Sequence, residues 1–490
     1  KEVAIDPEML GKVFENLIEE NRRKGLGAFY TPREIVHYMC QEALLNYIDN
    51  RLNRPETPIG ARPDKPDDEQ DLFFDSSAED APPQGQAEFT DTASRGLVPR
   101  EELAAWIRQS DQFAHYAAAI AAGTKGAHYP KPAQRVRTYA TEIDELLRDI
   151  TVCDPAVGSG AFPVGMMTEI IRARLALSPY MNDLADRTAY AFKRHAIQNC
   201  LYGVDIDPGA VEIARLRLWL SLVVDEETPH PLPNLDYKIV KGDSLLGFPL
   251  KSMRIHRIEA LKKEFFSETD ATRKKELKKT IDSEIAAAFA TSKRSLGYEV
   301  NFDFEIFFSE VFHAAKGFDV VIANPPFVRH ETISDLTPIL RKRFTVGASR
   351  ADLLVFFYEE GVRLLRNGGV ISLITSNKFH RAAYGSKLRP FLADNLQIRV
   401  LIDFGDAPVF EAIAYASILI GSKGKAPAQN VIEACTWPEA MPFDALPQTV
   451  SEHGVLLPQD DLSPDGWRIE DPEGIRLLEK LQATGTPLGE

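Results

Sequence analysis

Phe318-Asp-Val-Val-Ile-Ala-Asn-Pro-Pro-Phe327 is the stretch that decides the fold. Its first six residues read as a buried strand. The two prolines cannot continue a sheet, because they lack a backbone donor and fix φ. The chain must therefore turn outward at the carboxyl end of the strand, the edge where open α/β sheets bind ligands. An amide (Asn324), a proline-held carbonyl (Pro325), a second proline (Pro326) and an aromatic face (Phe327) then share one stiff turn. That set suits a planar, amine-bearing group such as an adenine base.

Upstream, three more strand ends carry acids. The first is Asp154-Pro-Ala-Val-Gly158-Ser-Gly160-Ala-Phe162, where a glycine turn lets a ligand approach the backbone. The dinucleotide fingerprint would need a third glycine at 163, but Pro163 is there. The next acidic strand end, Asp205, comes about 45 residues on, where that fingerprint expects about 20. A nicotinamide cofactor is disfavoured. Asp205, in Gly203-Val-Asp-Ile-Asp-Pro208, can accept both hydrogen bonds of a ribose diol, with Asp207 as helix cap. Gly242-Asp243 can take an exocyclic amine. Taken singly, each of these acids is more often a helix cap than a ligand; together and in this order they point to a site.

Seven candidate strands alternate with helices from residue 150 onward: 150–154, 201–205, 237–241, 318–323, 370–375, 400–404 and 415–420. This alternation predicts an α/β fold with a mostly parallel sheet covered on both faces, and a reversed strand at its edge. Residues 1–50 read as a helical segment. There Thr31 can cap a helix with Pro32 at its first position and Glu34 in a capping box. Residues 51–149 read as an insertion, rich in Pro, Asp, Glu and Gln and partly disordered at first, then helical. Residues 150–425 are the expected catalytic domain, interrupted by a charged, solvated helical hairpin over 253–290. Residues 426–490 read as a connector toward another module. The chain opens on Lys1 rather than Met, as a fragment or a processed chain would.

The net charge of −15 argues against a surface coated for nucleic acid, though not against a local basic cleft. No apolar run is long enough to span a membrane. Cys40, Cys153, Cys200 and Cys435 show no paired spacing and read as reduced, buried thiols of a cytoplasmic protein. No zinc ligand set is evident.

These motifs resemble those of S-adenosylmethionine-dependent DNA adenine-N6 methyltransferases of the gamma motif order, most of all the methylase portion of type IIG-like fused restriction-modification enzymes. The similarity covers residues 7–50 and 145–425 and adds Gly27-Ala-Phe-Tyr-Thr-Pro32 to the stretches above. It implies a Rossmann-like, seven-stranded class I methyltransferase sheet. It implies that Phe29, Tyr30, Thr31 and Pro32 close over the methionine end of the cofactor, which Asp154, Ala156, Gly158 and Gly160 line. Asp205 would hold the ribose, Ile206 would pack on the cofactor adenine, Asp243 would accept from its amine, and Phe248 would flank it. Asn324, Pro325, Pro326 and Phe327 would be the catalytic turn. Phe327 stands where the family more often has Tyr. Tyr384, then Phe379, would join Phe327 in holding the target base; both also read as core packing.

The resemblance further implies double-stranded DNA as partner, with nuclease and target-recognition domains elsewhere in the parent protein. If the Asn324 side-chain oxygen and the Pro325 carbonyl each accept one N6 hydrogen, pyramidalisation at nitrogen becomes easier, and neither a metal nor a strong base is required. The base must leave the duplex first. Two other readings stay open: a methyltransferase acting on a protein glutamine or on RNA, and a DNA-binding subunit without turnover.

Overall fold

The computed structural model describes residues 29–53, 97–121, 130–181, 186–224, 231–248, 255–268, 270–290, 292–410, 415–438, 441–469 and 480. The expectations for 1–28, for the acidic stretch within 54–96 and for the last helix near Ile475 fall outside these residues.

Nine strands form one sheet: β1 (Val152–Asp154), β2 (Leu201–Asp205), β3 (Ile239–Lys241), β4 (Phe318–Ala323), β5 (Leu365–Ser376), β6 (Leu396–Asp403), β7 (Ala416–Lys423), β8 (Val431–Thr436) and β9 (Val455–Pro458). Their order is β3-β2-β1-β4-β5-β7-β6-β8-β9. The strands β1 to β5 are mutually parallel where they pair. β7 runs antiparallel to both β5 and β6, β8 is parallel to β6, and β9 closes the edge antiparallel to β8. The expected seven-stranded sheet is therefore corrected to a mixed sheet of nine. The reversed strand β7 lies inside it rather than at its edge, because β6 pairs with β8 on its far side. Residues 431–458, expected to be a connector, supply the two additional strands.

Alternation along the strands explains why both faces are covered. In β4, Val320 and Ile322 point into one core, while Phe318, Val321 and Ala323 point into the other. In β5, Val370 and Ile374 separate from Ile371 and Leu373 in the same way. The first face is roofed by helix α1 (Arg33–Asn53), which contacts β4, β5 and β7 and packs on helix α2 (Ala161–Leu177). Gly165 lets these helices meet: a Cβ there would come 2.5 Å from Val36. The second face is rich in phenylalanine and includes helix α3 (Leu353–Leu364).

The charged hairpin is less solvated than its composition suggests. Its helices, Ile255–Ser267 and Ala271–Phe289, bury Ile258, Phe265, Leu277, Ile281 and Ile285 around Tyr237 and Ile306. Lys262 is buried, donating to the Phe307 carbonyl and, at 2.7 Å, to Glu310. Glu310 also meets the buried Lys238 at 3.3 Å. Burial lowers both lysine pKa values, and the two ammoniums hold the Glu310 carboxyl below its usual value against its own desolvation. Among the described residues no helix is long and apolar enough to cross a membrane. The four cysteines are buried, and no disulfide joins them among the described residues.

Candidate active site

The carboxyl ends of β1, β2, β3 and β4 lie along one edge, and the chain order reverses direction around β1. A crevice forms at such a switch point because adjacent crossovers leave on opposite faces. Here it is a cavity of about 240 Å³, lined among others by Phe29, Thr31, Asp154, Ala156, Gly158, Asp205, Ile206, Asp243, Asn324 and Pro326.

The β1 turn is built by backbone geometry. Gly158 sits at φ +49° and Gly160 at φ +84°, the left-handed region that costs an L side chain free energy. Gly160 does not line the cavity. A Cβ on it would come 3.0 Å from Ala214, so it packs closely on the helix Pro208–Val223. Asp154 accepts from the Ala156 amide at 3.0 Å through one oxygen, while Oδ2 is buried with no hydrogen-bond partner among the described residues. Burial pushes its carboxyl well above the usual range, and the nearby Asp205 charge adds to this.

Asp205 ties two turns together. It accepts from the Gly158 amide at 2.9 Å and from the Asp207 amide at 2.8 Å. Asp207 caps the following helix, accepting from Gly209 at 2.7 Å. Asp243 accepts from Leu245 at 2.9 Å, and Gly242 leaves room for Phe302, which a Cβ would approach to 2.3 Å. Burial raises both the Asp205 and Asp243 carboxyl pKa values. Ile206 beside them is 57% exposed and lines the cavity.

Asn324 follows β4. Its Nδ2 donates to the Phe29 carbonyl and to the Thr31 hydroxyl, each at 3.1 Å. Its Oδ1 is buried and has no partner among the described residues. Thr31 was expected to cap α1. The first helical carbonyl is instead that of Pro32, bonded to Val36 N at 3.0 Å, and the Thr31 hydroxyl is turned to Asn324. Tyr30 and Pro32 are half-buried beside these contacts and do not line the cavity.

Pro325 is buried, and Pro326 accepts from Val328 N at 2.9 Å, which tightens the turn. The Phe327 ring is held edge-on by Phe29 at 5.5 Å and Phe410 at 5.3 Å. Phe379 and Tyr384 do not line the cavity. Phe379 is fully buried against Tyr358, His380 and Trp467, so core packing is its role in this structure. Tyr384 is half-buried, and burial and Asp352 raise its phenol pKa. Phe248 stacks on Phe289 of the hairpin, with ring centroids 5.6 Å apart.

Sequence reasoning missed Phe410 and the apolar wall of the cavity, formed by Ile333, Leu336, Leu340, Leu353 and Phe357. Ile333, Leu336 and Leu340 do recur at helical spacing, a signal that could have found them. No sequence signal marked Phe410.

The sheet order and the crevice at its switch point define a methyltransferase-like α/β fold. Residues 199–410 match the family described as Eco57I restriction-modification methylase. The Type II methyltransferase M.BstVI of Geobacillus stearothermophilus is 39% identical over 121 residues, 24% of this chain and 21% of that protein. The Type II restriction enzyme and methyltransferase RM.Eco57I of Escherichia coli is 25% identical over 280 residues, 53% of this chain and 23% of that protein. The adenine-specific methyltransferase PglX of Streptomyces coelicolor is 23% identical over 376 residues, 68% of this chain and 27% of that protein. The chain spans less than a third of the length of each of these relatives.

Proposed function

We propose that this chain carries the catalytic domain of a site-specific DNA methyltransferase in a restriction-modification system, transferring a methyl group from S-adenosylmethionine to adenine N6. The supporting observation is the amide of Asn324. Its nitrogen is occupied, its oxygen is buried and unpartnered among the described residues, and it stands on the wall of a cavity that four aspartates also line.

The residues fit the cofactor. The orphaned Asp154 Oδ2 suits an α-ammonium, because a paired positive charge offsets the desolvation of the carboxylate. The remaining lone pairs of Asp205 suit a ribose diol, exposed Ile206 an adenine face, and Asp243 the adenine amine. When bound, S-adenosylmethionine supplies a methyl group activated by its sulfonium.

Asn324 Oδ1 and the Pro325 carbonyl each accept one hydrogen of the target N6. As nitrogen takes up positive charge, both bonds strengthen, and the spare proton then leaves to solvent. Phe327 supplies a face for the flipped base, where stacking is worth about 1–3 kcal/mol. The similarity to the adenine-specific methyltransferase PglX favours adenine. DNA as substrate, companion nuclease and recognition domains, and a cytoplasmic setting follow from the same reading.

The test uses the full-length protein, its DNA site and tritiated cofactor. Asn324→Ala lowers transfer by roughly 10²–10³-fold with cofactor affinity nearly intact. Undiminished transfer would overturn the mechanism, and label appearing in protein or RNA instead of DNA would overturn the substrate.

A further inference from the structure

We infer that Thr31 is a positioning residue for the methyl transfer: its hydroxyl locks the Asn324 amide so that Oδ1, and not the NH₂ group, faces the target amine. The inference rests on the reading of Asn324 given above. A primary amide can flip by rotation about its last side-chain bond, exchanging an acceptor for a donor at the same place. Here a flip is prevented from one side. The Phe29 carbonyl is an acceptor only, so the atom facing it must be nitrogen. The Thr31 hydroxyl takes the second hydrogen of the same nitrogen at 3.1 Å. Both amide hydrogens are thereby committed, and the oxygen left over is the buried, partnerless one. Hydrogen bonds donated by the NH₂ group also polarise the amide and make its oxygen a better acceptor.

Thr31 is suited to this task rather than to helix capping. It is 4% exposed, and the Pro32 carbonyl, not Thr31, accepts the first bond of α1. The Phe29 ring meets Phe327 edge-on at 5.5 Å, so the same short segment steadies both the amide and the aromatic of the turn. Thr31 also lines the cavity, and its obvious rival role is direct contact with the cofactor. The two roles predict different kinetics.

The experiment measures single-turnover methyl transfer with saturating S-adenosylmethionine and DNA, together with cofactor and DNA dissociation constants, in the full-length protein. Thr31→Val removes the acceptor and lowers the transfer rate roughly tenfold, the range for one lost hydrogen bond that sets alignment. Both dissociation constants stay within about threefold, below the loss of a direct contact. Thr31→Ser keeps the hydroxyl and retains the wild-type rate. Thr31→Ala removes the acceptor without adding bulk and reports the same loss if the valine variant does not fold. Three results overturn the assignment: an unchanged rate in the acceptor-less variants, a loss carried wholly by cofactor affinity, or a serine variant as slow as valine. If Asn324→Ala itself transfers normally, the reading of the turn fails; if that variant is inactive while Thr31→Val is normal, only the positioning role fails.

Discussion

Asp205 and Asn324 sit at the ends of β2 and β4 and are satisfied in opposite ways. Both Asp205 oxygens accept from backbone amides, so the side chain is part of the scaffold that joins two turns. Among the described residues the Asn324 side chain is tied only through its nitrogen, and its oxygen is left bare in a buried place. An unpaired buried acceptor costs about 1–3 kcal/mol. A fold keeps such a group only where the rest of the structure holds it there, and a ligand that donates to it recovers the cost. The contrast separates a residue that builds the pocket from one that waits for a substrate.

The largest expected effect breaks that contrast directly. Asp205→Ala strands the amides of Gly158 and Asp207, so unfolding stability falls by about 1–3 kcal/mol and cofactor affinity falls with it. Asn324→Ala instead leaves the urea midpoint nearly unchanged and removes transfer. Equal stability losses in the two variants would erase the distinction.

Next come the glycines of the same edge. Gly242→Ala drives a methyl to 2.3 Å from Phe302 and destabilises by roughly 1–3 kcal/mol. Gly158→Ala has room, with its nearest neighbour at 4.0 Å, but adopts φ +49° and costs about 1–2 kcal/mol through the backbone alone. Thermal midpoints rank the two. A smaller effect is expected at Phe410: Phe410→Leu loosens the edge-on grip on Phe327 and slows transfer a few-fold while cofactor affinity holds. A Phe410→Leu rate equal to wild type would show that the ring needs no such support.

The subtlest test is pH. Burial raises the Asp154 pKa in the folded protein, so the native state holds its proton where the unfolded chain has already lost it. Stability therefore declines as pH rises from the unfolded value, about 3.9, toward the raised native one. Asp154→Asn flattens that decline, read from urea midpoints across pH. Identical slopes in both proteins would remove Asp154 from the account.

Much of the architecture was legible because local chemistry and fold agreed. β2 and β4 begin and end where their apolar runs do, since Pro208 and Pro325 leave the backbone no way to continue as strand. β8 and β9 were not legible. Val-Ile-Glu-Ala-Cys-Thr is short and interrupted by Glu433, and β9 pairs with it only after an intervening helix. The acids of the crevice were visible as strand-end residues, and their order along the chain matched their order in the site. The partners of Asn324 were not visible, because Thr31 lies 293 positions away and nothing in either segment announces the other. Phe379 and Tyr384 show the converse: the right residue types in a familiar order, one of them spent entirely on packing.

The placement of α1 has a consequence for assembly. This early helix is docked on β4, β5 and β7, whose residues arrive hundreds of positions later. Closing loops of that length is slow, and local contacts cannot substitute for them. Ile35, Met39, Leu44 and Ile48 are wholly buried in the finished fold, so α1, which also packs on the nearer helix α2, completes its burial only with the late strands. Docking of this early helix is complete only once those strands are in place, and the Asn324 amide gains its Phe29 and Thr31 partners with it.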